Sequence, residues 1–387
     1  MSAGVAEEVV VVVGPAPPLR GGIAAHTARL VEALQRQGHR ASALSFRRLY
    51  PDALFPGRSQ RVAGAATPPW CEEVLDPLDP RSWLAARRRL ARSGAKVVVQ
   101  WWHPAMAPAF LATTAGLGRE RLVAVCHNAL PHERFPAARL AARALLGRCG
   151  AVVCHSPAVR RDLVATLGIA DRAVRCVPLP CLVAPEDFET DRMPLELAPL
   201  AKGTPLAVAA GHVRAYKGTA LLLRAWSSAT RSEGARLVVA GESYLGGRAR
   251  REVAALARRD PSIILLDRYL GDDELVSLVR SASVVVAAHL TASQSGILPL
   301  ARALGTPVIA SSAGGLPSQL PGLDADLVPA GGQASLASAL ARRLAAAARG
   351  TGRARMDGCE GFAVEWAAVV EAMGIGLRPS AAAERGT

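Results

Sequence analysis

The chain has 387 residues, half of them hydrophobic and only 20% charged, a composition that supports two buried cores and excludes a disordered or fibrous protein. No apolar run approaches the roughly 20 residues that span a bilayer. The opening MSAGVAEEVV is acidic where a signal peptide is basic. Seven cysteines without CxxC spacing read as buried thiols in a reducing, cytoplasmic setting rather than as disulfides or a zinc site. The net charge of +14 is uneven, with +12 in residues 1–182 and +2 in the remainder. An acidic partner is therefore expected on the first half: the inner face of an anionic membrane, bound peripherally, or a phosphorylated or lipid-linked acceptor. Nucleic acid is not expected as a partner, because aromatics are 4% of the chain and no stacking platform or groove-reading motif is visible. The alternative is an excess of arginine on solvated helix faces, such as Arg87, Arg88 and Arg89.

Val9 to Val13 reads as a buried strand ending at Gly14. The loop PAPPLRGG follows, then a helix from Ile23 to about Gln37, a stop at Gly38 and a strand from Arg40 to Phe46. This is a βαβ unit with Gly21 and Gly22 at a helix N-terminus. GxGxxG is not there, so a nicotinamide or flavin cofactor is disfavoured. The glycines serve either tight packing or the close approach of backbone to a ligand. Lys96–Trp102, Leu122–Cys126 and Ala151–Cys154 are three more buried strands, ending in His103, His127-Asn128 and His155-Ser156. Histidines recurring at strand ends of one parallel sheet point to its carboxyl edge as a working surface. Asn128 is the single asparagine, lying between His127 and His132. Lysine occurs only at 96, 202 and 217 against an arginine background, which suggests positions needing a compact charge.

Pro178 to about Thr204 is rich in proline and acid, lacks apolar periodicity and reads as the interdomain linker. A second domain opens with the strand Leu206–Ala210, the loop GHVRAYKG and a helix over Thr219–Ala229. Arg214 and Lys217 share that strand-to-helix loop, and two cations there suit a diphosphate; a solvated basic loop is the alternative. Leu237–Ala240 is the next strand, ending in Gly241-Glu242. It is followed by a basic helix, the strand Ile263–Leu266 and GDDELVSLVRSA. Asp272 and Asp273 read as a helix start rather than a metal site, and no metal is expected.

Val284 to Gly315 is the stretch around which the chain is organised. Val284–Val286 leads into a Ser/Thr/Gly-rich loop, a short apolar helix closed by Gly305 and a strand from Pro307 to Ala310. Ser293, Gln294, Ser295 and Gly296 put backbone N–H groups at a helix N-terminus on the carboxyl edge of a parallel sheet, a place for an anion. Ordinary capping by Ser293 or Ser295 is the alternative. Leu327–Pro329 is a last strand and Ala334–Ala347 a helix. Phe362–Met373 is an apolar helix expected to return to the first domain, before a disordered tail.

These features together, the Gly-Gly loop after the first strand, GHVRAYKG opening the second half, and SQSG followed by ALGTPVIASSAGGLP, resemble the GT-B glycosyltransferases. The nearest likeness is to the family-4 retaining sugar-nucleotide transferases of bacteria, and it covers nearly the whole chain. It implies an α/β fold of two Rossmann-like, doubly wound parallel-sheet domains facing a central cleft. The acceptor-side domain would span 1–182, a linker 183–204, the nucleotide-sugar domain 205–360, the crossing helix 361–375 and the tail 376–387.

The resemblance further implies that the Gly21-Gly22 loop lies near the donor diphosphate and acceptor, and that His127 sits by the transferring sugar. Arg214 and Lys217 match the diphosphate pair, Gln294, Ser295 and Gly296 meet sugar and phosphate, and Glu242 lies near the nucleotide pocket. His103, Asn128 and His132 would be on the acceptor side. The chain departs from the family at the paired glutamates, whose positions fall at Ala292 or Ser293 and at Leu300 or Ala301. The expected activity is transfer of a hexose from a nucleoside diphosphate sugar to an acceptor hydroxyl, with retention and without a cofactor or metal. The missing glutamates motivate the alternative of a catalytically silent, nucleotide-sugar-binding partner subunit. A sugar-nucleotide epimerase is a third reading.

Overall fold

A computed structural model describes residues 7–51, 55, 57–131, 135–201, 203–230, 233–349 and 361–375. His132, Lys202, Cys359 and the tail 376–387 lie outside the described residues. The chain divides into two compact units, Met1–Pro178 with Ala363–Thr387, and Leu179–Phe362.

The first unit is built on seven parallel strands: β1 (Val9–Val13), β2 (Arg40–Phe46), β3 (Cys71–Leu75), β4 (Lys96–Trp101), β5 (Leu122–Cys126), β6 (Ala151–Cys154) and β7 (Val174–Cys176). Their order in the sheet is β3-β2-β1-β4-β5-β6-β7. The central strands are near-continuous apolar runs, interrupted by the buried Gln100 on β4, as a parallel sheet covered on both faces requires. The order reverses between β1 and β4, which makes the gap beyond their carboxyl ends the topological switch point of this sheet. The helix Gly22–Arg36 starts there, with Gly21 as its N-cap at φ 111°. The helix Phe362–Ala372 belongs to this unit almost entirely and sets Trp366 against the ring of His26, 4.9 Å between centroids. Lys96 Nζ donates to the carbonyl of Gly374 at 2.7 Å and fastens the end of this returning segment to β4.

The second unit holds six parallel strands: β8 (Leu206–Ala210), β9 (Arg236–Ala240), β10 (Ile263–Leu266), β11 (Val284–Ala287), β12 (Val308–Ser311) and β13 (Ala325–Val328). Their order is β10-β9-β8-β11-β12-β13, and its switch point lies between β8 and β11. Residues 179–201, within the segment whose composition marks it as an interdomain linker, pack within this unit. Arg192 N–H donates to Ser277 Oγ at 2.7 Å, Arg280 donates to the carbonyls of Phe188 and Thr190, and Arg268 pairs with both Glu196 and Glu274. Phe188 and Leu197 are buried there, so arginine side chains and two apolar anchors hold a segment that has no periodicity of its own. Among the described residues, no helix is long and apolar enough to cross a membrane.

Candidate functional site

In the second unit the chemistry gathers at the β8/β11 switch point. β8 runs into the loop Gly211–Gly218, which is stitched to the end of β9: Val213 N–H donates to the Glu242 carbonyl at 3.0 Å, and Tyr244 N–H donates to the Val213 carbonyl at 2.9 Å. Gly218 turns the loop into the helix Thr219–Ser228 at φ 70°, and any Cβ there would collide with the carbonyl of Ala288 just after β11. The loop is fastened there by Leu290 N–H, which donates to the Tyr216 carbonyl at 2.7 Å, and Gly218 permits the close approach. Gly218→Ala is expected to destabilise the chain by about 2 kcal/mol or more. A melting temperature equal to that of the parent would show that the loop can move away from Ala288 freely.

Arg214 and Lys217 share this tight loop, and Lys217 is half-buried in it. Arg192, Arg224, Arg250, Arg268 and Arg343 in this unit each reach a carboxylate. Neither Arg214 nor Lys217 forms an ion pair among the described residues; the Arg214 guanidinium lies 4.8 Å from the centroid of the Tyr244 ring. Burial and the nearby Arg214 charge pull the Lys217 ammonium down to about 8. Its Nζ lies over Gly211, where an added Cβ would come within 2.9 Å. A small cavity lined by Gly211, His212, Lys217, His289 and Ile297 brings the carboxyl ends of β8 and β11 together with the start of the helix Ile297–Ala303. Two unneutralised cations in a tight loop leave a local charge that an anion would balance.

The SQSG turn is held from behind. Ser295 N–H, which sequence alone suggests as an anion donor, donates to Gln319 Oε1 at 2.7 Å, while Gln319 Nε2 donates to the Ser295 carbonyl at 3.1 Å. The buried Gln319, distant in sequence, thus consumes the Ser295 amide as a structural bond. Gly296 is exposed and caps the helix. Gln294 Oε1 is buried without a hydrogen-bond donor among the described residues. A side-chain carbonyl in that condition calls for a hydroxyl or amide rather than a phosphate. Glu242 is buried and accepts from Tyr244 Oη at 3.4 Å.

In the first unit the β1/β4 switch point holds a buried polar cluster. His127, after β5, sets Nε2 at 2.6 Å from Gln100 Oε1 on β4, and Gln100 Nε2 lies 3.2 Å from His26 Nδ1 on the first helix. His26 Nε2 lies 3.1 Å from His155 Nε2, and His155 Nδ1 is 3.3 Å from the Val177 carbonyl. All four side chains are buried. Desolvation holds His26 and His127 well below the usual histidine range and takes His155 down to about 4.

His127 and His155 converge as the strand ends suggest, but His103 does not join them. It accepts from Ala105 N–H at 3.2 Å as a helix cap, with its ring against Phe135. Asn128 Nδ2 donates to the Trp102 carbonyl at 3.4 Å. His26 and Gln100 are the members that sequence reading missed. Gln100 was legible as the one polar residue inside a β-branched run, KVVVQWW, that is buried on both faces. His26 was legible as a histidine four residues before the buried Leu30 on the inward face of its helix.

Paired Rossmann-like sheets, each with its polar groups at its own switch point, define the GT-B class of glycosyltransferase fold. Residues 20–180 match the model of Glycosyltransferase Family 4, and residues 204–346 match that of Glycosyl transferases group 1. Those two matches span most of the chain, and the protein belongs to the family-4-like GT-B glycosyltransferases. No curated protein matches the chain at a significant level.

Among solved structures, it is similar to sucrose-phosphate synthase from Thermosynechococcus elongatus, with TM-score 0.67, 18% identity, and 95% of this chain and 96% of that chain covered. It is also similar to the catalytic domain of starch synthase IV from Arabidopsis thaliana bound to ADP and acarbose, with TM-score 0.63, 13% identity and coverage of 98% and 97%. A third likeness is to Anabaena HepE in complex with UDP, with TM-score 0.60, 14% identity and 95% of each chain covered. At such identities the likeness establishes the fold.

Proposed function

We propose that the protein transfers a hexose from a nucleoside diphosphate sugar to an acceptor hydroxyl with retention of configuration and without a metal. The observation that carries this reading is Arg214 and Lys217, without an ion pair among the described residues, in a glycine-locked loop at the switch point of the second sheet. Arg214 offers a planar fork to phosphate oxygens and Lys217 a compact charge. Between them they can carry the charge that develops on a leaving diphosphate, which is the work a metal does in other transferases. Gln294 Oε1 is suited to accept from a hydroxyl of the donor sugar, and Glu242, whose carbonyl accepts from Val213 N–H, is a buried carboxylate beside the loop that is suited to the nucleotide.

Retention is proposed to follow a front-face path. The family's two glutamate positions are apolar or hydroxyl residues here, so a double displacement between two carboxylates has no candidates in that stretch. The leaving diphosphate itself takes the proton of the acceptor hydroxyl as the new glycosidic bond forms and the old one to phosphate breaks. His127 is the family's substrate-facing position in the first unit. The +12 charge of residues 1–182 favours an acceptor that is anionic or lipid-linked, and with it a site of action at the inner face of a membrane.

The test is incubation of the full chain with a panel of nucleoside diphosphate sugars, read by mass spectrometry and by release of the nucleoside diphosphate. One donor is expected to be consumed, slowly by water and faster with a lipid-phosphate acceptor. Binding of a donor with neither transfer nor hydrolysis would sink the proposal in favour of a silent subunit. Isomerised donor with no acceptor consumed would indicate an epimerase.

A further inference from the structure

The buried cluster of the first unit has only one arrangement of protons that leaves every ring neutral. The Val177 carbonyl can only accept, so His155 must carry its proton on Nδ1. Neutral His155 then offers a lone pair at Nε2, and His26 Nε2–H must donate to it. His26 Nδ1 is thereby an acceptor, and it takes an N–H of the Gln100 amide. This turns the Gln100 carbonyl oxygen toward His127, whose Nε2–H donates to it. His127 Nδ1 is left with a lone pair and with no hydrogen-bond partner among the described residues.

Reversing the Gln100 amide would require His26 to hold its proton on Nδ1. His155 would then have to carry protons on both nitrogens, a buried imidazolium with no carboxylate acting on it among the described residues. The rings packed on His26 are those of His127, His155 and Trp366, none of which supplies a charge to compensate it.

The main chain is shaped to seat Gln100. A Cβ on Gly14, at the end of β1, would fall 2.6 Å from Gln100 Cβ and 2.7 Å from its Cγ, so the neighbouring strand end carries no side chain where Gln100 lies. From this geometry we propose that Gln100, His26 and His155 are positioning residues that lock His127 in its Nε2–H form, so that it meets a substrate only as an acceptor, through Nδ1, from a hydroxyl. The chain of bonds ends on a backbone carbonyl and is interrupted by an amide. It therefore cannot relay a proton away, and its effect is to fix direction. The step from tautomer to turnover rests on the transferase reading above; the tautomer itself does not.

The experiment is long-range ¹H–¹⁵N correlation on the full chain, labelled at histidine, near neutral pH. His26 and His127 are expected to show protonated Nε2 and lone-pair Nδ1, and His155 the reverse. Averaged shifts on His127, or a protonated Nε2 on His155, would overturn the proposal without any variant being made. Gln100→Glu, as a carboxylate, keeps the shape and still accepts from His127 but cannot donate to His26. His26 is then expected to gain a proton on Nδ1 with the carboxylate as its counter-ion, an outcome that a merely space-filling Gln100 would not produce; His26 unchanged while the ¹³C shift of the introduced carboxyl reads ionised would also overturn the proposal. In the transfer assay, Gln100→Leu is expected to lower kcat at least about tenfold with donor Kd unchanged, and parental kcat would refute the positioning role. If the parent protein shows the assigned tautomers but no transfer with any donor, the transferase reading fails and the lock stands. If it turns over with averaged tautomers, the lock fails and the transferase reading stands.

Discussion

Replacing Lys217 by alanine is expected to weaken nucleoside diphosphate binding by about 10- to 150-fold, equivalent to about 1.5–3 kcal/mol for a charged hydrogen bond. The loop gives the ammonium no carboxylate, so nothing in the free protein competes with the ligand for it. A pH dependence follows from the same site. The folded protein holds Lys217 at about 8 rather than 10.5, so folding disfavours its charged form. In the ligand-free chain this group makes the unfolded state bind more protons between those two values, and stability rises with pH across that window. A bound diphosphate favours the proton instead. Its affinity is expected to be flat below about pH 8 and to fall above it as Lys217 loses its charge.

Calorimetric titration of UDP and ADP at about pH 7 and about pH 9, on parent and Lys217→Ala, reads both effects. The alanine variant is expected to be weak at both pH values and to melt no lower than the parent, because a desolvated cation has been removed. Parental affinity in the variant would show that the diphosphate binds elsewhere.

For His127→Ala, kcat is expected to fall about 100-fold or more with the secondary structure intact, because the side chain orients a reacting group and a small misplacement costs about that much. Donor affinity should change little. A stability cost is also expected, since the Gln100 carbonyl oxygen is left buried without its 2.6 Å donor, a loss of about 1–3 kcal/mol. Circular dichroism, thermal melts and single-turnover transfer separate the two effects. Turnover within about twofold of the parent would remove His127 from the site, whatever happens to stability. Because burial keeps the ring neutral well below the ordinary histidine range, its own titration should not limit turnover on the acid side near neutrality.

The two halves of the site were unequally legible, for a physical reason. In the second unit the signal is local. Arg214, Lys217, Gly211 and Gly218 lie within eight residues, and a strand, a glycine-bounded basic loop and a helix in succession suffice to place cations at a sheet edge. In the first unit the participants come from β4, the first helix and the ends of β5 and β6, and no short window contains two of them with a recognisable spacing. The strand ends at His127 and His155 were readable because central parallel strands are unbroken apolar runs. The edge strands β3 and β7 were not, because Glu72 and Arg175 face water and leave no run to read.

The sequence by itself determined the paired parallel-sheet architecture, through β-branched runs alternating with glycine-stopped helices, and placed the basic loop of the second half. These follow from periodicity and steric rules that act over a few residues. Only the tertiary structure decided that the proline- and acid-rich segment after residue 178 is fastened to the second unit by arginines, and that the Ser295 amide is consumed by Gln319. It alone joined His26, Gln100, His127 and His155 into one bonded chain. Hydrogen-bond complementarity between groups tens of residues apart has no period along the chain, and it exists only once packing has excluded water and left each polar atom dependent on the next.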